Sequence, residues 1–171
     1  MPPAAAERTG RRYGDAEFDL SRLRPLRDLL VEAGRSCVHP DHRSGAVMNL
    51  MWIGIARYMH LHNLRWLGGC ASVPADDRGT TLGVWARVQA RHLSPPALRV
   101  RPRRPWLTDD DPPGDPESAL PPLLRGYLRL GSWVCGEPAY DPDFRVADFY
   151  VLMSMDRMNP RYRRHFLGAT R

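Results

Sequence analysis

The residues of this chain best suited to chemistry lie in VEAGRSCVHPDHRSGAVMNLMWIGIARYM, where an extended run feeds the short turn DHRSGA and a helix-period apolar pattern follows at once. The first N–H groups of a helix have no internal acceptor, and the macrodipole favours negative charge beside them. Ser44, Gly45 and Ala46 are small enough to let an anion approach the backbone, and Arg43 adds a forked cation at the same place. A pyrophosphate, or the phosphate of a phosphopantetheine arm, is the occupant that such a turn suits. The competing reading is an ordinary strand-to-helix turn carrying one arginine, and spacing alone leaves both open.

Other groupings point less far. His39, Asp41 and His42 suggest a metal, but within one tight turn their side chains diverge and a fourth ligand is missing, so no metal is expected. Cys37 beside Ser36 and His39 could be a thiol nucleophile, yet a cysteine on an apolar strand is more often a small core residue. Cys37, Cys70 and Cys135 are odd in number and widely spaced, which argues for buried thiols in a reducing compartment, the cytoplasm, and against a disulfide framework. No run of eighteen apolar residues and no signal-type h-region occurs, so no spanning segment is expected, while peripheral contact with the inner face of a membrane stays open.

The elements that must position these residues follow from pattern. At 171 residues with 43% hydrophobic content, one domain can fill a core. Residues 1–28 read as a flexible lead followed by an irregular segment around Pro25. LLVEAGRSCVHP reads as a half-buried strand ending at Pro40, Ala46 to His62 as the clearest helix, and RWLGGCASV as a buried strand. TLGVWARVQARHL is a second helix stopped by Ser94, Pro95 and Pro96. Residues 108–119, acidic and proline-rich, read as a mobile connection. A short amphipathic helix in LLRGYLRLG, a strand in ADFYVLMSMD and a basic tail complete an α/β pattern with at least one βαβ unit.

The chain carries a net charge of +6, with arginine supplying all 25 basic residues. That balance suits nucleic acid, an anionic membrane surface or an acidic carrier protein alike. LRVRPRRPW and RYRRHF interleave arginines with aromatics, but no nucleic-acid motif accompanies them, so nucleic acid is not expected as a partner.

VEAGRSCVHPDHRSGAVMNLMWIGIARY followed by RWLGGCASV resembles the acyl-donor-binding core of GNAT acyltransferases. GRSCVHPDHRSGAV, LPPLLRGYLRLGSWVCGEPAYDPDF and ADFYVLMSMDRMNPRYRRHF together resemble the hemolysin-like ornithine N-acyltransferases of lyso-ornithine lipid synthesis, over about two thirds of the chain. The resemblance implies a GNAT-like (acyl-CoA N-acyltransferase) mixed sheet flanked by helices, in a domain over residues 29–167 with a short tail at 168–171. It implies no permanently bound cofactor. The co-substrate would be acyl-carrier protein, through its 4'-phosphopantetheine, or acyl-CoA, its thioester lying across a splayed strand and its phosphates on Arg43, Ser44, Gly45, Ala46 and Val47. The family's Q/R-x-x-G-x-G/A pattern reads here as Arg43 to Met48 with the glycine shifted one place and Met48 in a small residue's position, which weakens the case for coenzyme A.

Glu32 and Arg35 form an E-x-x-R element similar to that of acyl-homoserine-lactone synthases. By that likeness Glu32 is the expected general base toward an amino-acid amine such as ornithine, and Arg35 orients it or the carrier phosphate. Set against this, residues three apart on a strand face opposite ways and can each pair with an unrelated neighbour. A backbone N–H at Val38 or His39 is the expected oxyanion donor, and Tyr127 or Tyr150 the alternatives for protonating the leaving thiolate, with core packing the competing role for both tyrosines. A complete GNAT fold has further strands before this point, so the fold is expected to be N-terminally truncated, with pairing into a homodimer one way to cover the exposed edge. The alternative to an enzyme is an inactive GNAT-like fragment that binds carrier protein or anionic membrane.

Overall fold

The computed structural model describes residues 1–34, 37–42 and 44–168. Its centre is a mixed sheet. Strand β3 (Trp66–Pro74) pairs along its whole length antiparallel with β7 (Val146–Ser154), with Trp66 opposite Ser154 and Pro74 opposite Val146. On the other edge of β3, β2 (Leu30–Glu32) runs parallel, with Glu32 opposite Gly68. Beyond β7 lie β5 (Trp133–Val134) and β6 (Ala139–Asp141), both antiparallel to it. A separate two-stranded ribbon joins β1 (Phe18–Asp19) to β4 (Arg101–Pro102).

Strand β7 is buried from Ala147 to Ser154 because both faces of the sheet are covered, which is why it reads as a nearly unbroken apolar run. On one face Leu67, Ala71, Phe149, Val151 and Met153 pack against α3 (Gly45–Leu61), α4 (Arg78–Arg91), α5 (Pro122–Arg129) and α6 (Pro160–Leu167). On the other, Leu30, Tyr150 and Leu152 pack against Phe18, Leu20 and Leu23. Among the described residues no helix is long and apolar enough to cross a membrane.

Helices α3 and α4 fall where the periodicity predicts them, and each begins on a side-chain cap: Ser44 accepts from the Val47 N–H and Asp77 from the Thr80 N–H. Three segments differ from expectation. Residues 1–28, expected as a flexible lead, carry α1 (Pro3–Thr9), α2 (Gly14–Glu17) and most of a 3-10 helix (Ser21–Leu29), and the fully buried Phe18 and Leu23 anchor them to the sheet. Residues 108–119 are tied to α4 by Arg78 to Asp111, by Arg87 to the carbonyl of Ser118 and by Arg91 to Glu117. The strand expected to reach Pro40 stops at Glu32, for a reason that belongs to the site.

Candidate functional site

Ala33 donates its N–H to the Gly68 carbonyl at 2.8 Å, and there the parallel pair ends, while β3 continues to Pro74 with β7 on its other edge. The strands part because the chains are already in contact at the vertex. A Cβ built on Gly69 would stand 2.3 Å from the Ala33 carbonyl oxygen, so only glycine permits this approach. Beside it, a Cβ on Gly68 would meet the Tyr150 hydroxyl at 2.4 Å. The GG of RWLGGCASV is therefore the hinge of the splay.

The wedge so opened is a cavity of about 270 Å³ with two unlike walls. Met48, Met51, Trp52 and Ile55 of α3, with Leu123 and Tyr127 of α5, make an apolar wall. Ala33 and Gly34 sit at the vertex, and Tyr13, Cys70, Ser72, Phe144 and Asp148 close the far side. Trp52 and Tyr127 meet edge to face at 4.9 Å, and burial pushes the Tyr127 hydroxyl up to about 12.

The polar wall carries one carboxyl, Asp148, with that of Glu17 beside it. Asp148 is 2% exposed, and its Oδ1 accepts the Ser72 hydroxyl at 2.5 Å across the β3–β7 ladder. Ligand atoms of Glu17, Cys70 and Asp148 all lie within 4.8 Å of one another. Burial, followed by the hydrogen bond and charge of Asp148, pushes the Glu17 carboxyl up to about 8. Near neutral pH the pair therefore holds one proton and one charge between its two carboxyls. Burial raises the Cys70 thiol too, so it stays protonated beside them. These three side chains are the group close enough to hold a metal among the described residues, and a shared proton already accounts for the closeness of the carboxyls. Tyr13 reaches from α2's side to Asp141 at 3.4 Å, and burial raises its phenol well above the usual range.

The expected site residues are dispersed. Glu32, 3% exposed, does not line the wedge; its Oε2 accepts the Tyr13 N–H at 2.8 Å and its Oε1 the Gly14 N–H at 2.7 Å. Its carboxylate thus ties the start of α2 to the sheet, with Tyr13 over the wedge and Glu17 beside Asp148. Arg35 and Arg43 lie outside the described residues. Val38 and His39 lie in irregular chain and do not line the wedge, whose vertex holds Ala33 and Gly34. Cys37, expected to be buried, is exposed because the strand has already ended. Ser44 caps α3, and Gly45, Ala46 and Val47 present its first turn, exposed at Gly45 and Ala46. Tyr127 lines the wedge, whereas Tyr150 is fully buried behind Gly68, its hydroxyl without a hydrogen-bond partner among the described residues.

Sequence reasoning missed Glu17, Ser72 and Asp148. One signal was present for the last: an aspartate inside the apolar run ADFYVLM is costly to bury unless it is partnered.

Residues 1–53 match a family model described as an acetyltransferase (GNAT) domain. Along most of its length the chain is also similar to proteins named L-ornithine N(alpha)-acyltransferase. That of Rhodobacter capsulatus is 39% identical over 94% of this chain and 64% of its own length. The proteins of the same name from Rhizobium meliloti and Brucella abortus are 31% and 32% identical, over 94% and 88% of this chain and 57% of their own lengths. The chain thus spans about three fifths of the length of the curated relatives it matches. No solved structure matches it.

Proposed function

Because the chain carries a GNAT domain and is akin to proteins named L-ornithine N(alpha)-acyltransferase, we propose that it moves an acyl group from a thioester to the amine of an amino acid such as ornithine. The observation that carries this reading is the wedge itself: an apolar wall of Met48, Met51, Trp52 and Ile55 faces Asp148, which has the raised Glu17 carboxyl beside it. The donor lies along the open edge of β3 with its acyl chain on Met48, Met51, Trp52 and Ile55, and its phosphate rests on the first turn of α3 at Ser44, Gly45, Ala46 and Val47.

The amine attacks the thioester carbonyl, forming the C–N bond. The Gly34 N–H, which has no hydrogen-bond partner among the described residues, supports the oxygen as it gains charge. The Glu17–Asp148 pair takes the proton lost by nitrogen, and the C–S bond breaks as thiolate leaves. That proton then goes to the thiolate, so the products are an amide and a free thiol. A value near 8 lets the pair, once ionised, accept the proton that nitrogen sheds as the neutral amine attacks. Glu32 acts in this scheme as a positioning residue.

Carrier protein and coenzyme A deliver the same phosphopantetheine thioester. The exposed Arg161, Arg163 and Arg164 of α6, which packs against α3, favour an acidic carrier. The test is thiol release from palmitoyl-carrier protein and from acetyl-coenzyme A with and without L-ornithine. Ornithine-dependent release is expected, greater with the carrier. Donor binding without release from either would make the chain a binding protein.

A further inference from the structure

Next to the wedge lies a second cavity of about 420 Å³ between α2, residues 103–104 and the loop after β6. The two cavities share Tyr13 and Phe144 as a partition. Across that partition the acid pair is divided: Asp148 lines the wedge and Glu17 lines the second cavity. A group that contacts Glu17 from the second cavity therefore approaches the wedge through the proton-sharing pair. One Glu17 oxygen, Oε2, is buried and has no hydrogen-bond partner among the described residues.

The lining of the second cavity carries both signs of charge. Glu17 and Asp141 stand on one side and Arg103 and Arg104 on the other. Arg103 is committed in part, its Nε donating to the Asp15 carbonyl at 2.9 Å. The guanidinium of Arg104 has no hydrogen bond or ion pair among the described residues, yet its backbone is fixed, for its carbonyl accepts the Tyr140 N–H of β6 at 2.8 Å. An unengaged guanidinium on a fixed backbone, lining the same cavity as Glu17, matches a zwitterion, and a guanidinium fork binds a carboxylate through two parallel hydrogen bonds.

We propose that this second cavity is the acceptor site and that it selects α-amino acids, Arg104 binding the α-carboxylate while the amine rests on Glu17 beside Asp148. The proposal rests on the acyl-transfer reading for the chemistry after binding, but binding itself can be measured without it. Calorimetric titration of L-ornithine and of L-ornithine methyl ester into the whole chain, and into Arg104→Gln, separates the two. Ornithine should bind the unaltered chain at least tenfold more tightly than its ester, and Arg104→Gln should collapse that ratio to near one. Equal binding of acid and ester by the unaltered chain overturns the proposal, and needs no variant to fold. A ratio that survives in Arg104→Gln overturns the assignment to Arg104. Thiol release measured in parallel keeps the readings distinct. A carboxylate-dependent binding ratio without thiol release supports the site and refutes the acyltransferase, and thiol release with no such ratio does the reverse.

Discussion

Replacing Glu32 by glutamine separates the two roles open to that residue. In the structure its carboxylate accepts two backbone N–H groups, from Tyr13 at 2.8 Å and Gly14 at 2.7 Å, in a site only 3% exposed. A hydrogen bond to a charged group contributes roughly 1.5–3 kcal/mol, and a buried donor left unsatisfied costs about 1–3 kcal/mol. Glutamine keeps one acceptor oxygen, now neutral, and turns an NH2 group toward the other N–H, so one bond weakens and the other becomes donor against donor. The expected loss is about 3 kcal/mol. For a chain of this size each kcal/mol lowers Tm by roughly 2–4 °C, giving a drop of about 6–12 °C. Thermal unfolding and thiol release, run on the same preparation, read the result. If Glu32 positions α2, Tm falls and turnover falls with it, because Tyr13 and Glu17 lose their anchor. An unchanged Tm with turnover down roughly a thousandfold would rule out the positioning role and make Glu32 the base.

Gly69→Ala places a Cβ 2.3 Å from the Ala33 carbonyl, so it should force the vertex apart, costing about 1–3 kcal/mol in denaturant titration and weakening donor binding. Ala46→Glu puts a carboxylate in the first turn of α3, where it should raise stability by about 0.3–1 kcal/mol through the helix dipole while raising KM for the thioester, since it repels the donor phosphate. Glu17 also links stability to pH. Its folded value, about 8, lies above its ordinary 4.5, so the folded chain holds a proton that the unfolded chain releases between these values. Its contribution is complete below the lower value and is lost as pH rises through the upper one, so Glu17→Gln should flatten the decline in Tm over that window.

Helices α3 and α4 and strand β7 were legible because their apolar residues keep a pattern, and they lie within a few residues of their predicted bounds; α6, in a segment read as a basic tail, was not. The first thirty residues were not. Their apolar side chains lie irregularly around Pro25 in 3-10 geometry, and Phe18 and Leu23 are read as core only once the sheet they cover is known. The end of β2 was equally hidden, since it depends on how closely Gly69 meets Ala33 on another strand and not on the residues that follow Glu32. The acid pair joins α2 to β7, near opposite ends of the chain, and local pattern carries no record of such a meeting. The resemblance to known acyltransferases pointed to Glu32 and to a donor turn at Arg43–Val47, whereas the carboxyl that lines the wedge is Asp148, with Glu17 beside it.

Whether the acid pair receives the amine's proton is read most directly from amide formation in a single turnover, followed by mass spectrometry across pH with the unaltered chain and with Glu17→Gln. If it does, the unaltered chain's rate rises with pH to a plateau, with an apparent value near 8 belonging to the pair, and Glu17→Gln slows amide formation by roughly a hundredfold or more without that transition. Amide formation by Glu17→Gln at the original rate and with the original pH profile would remove the pair from the proton's path.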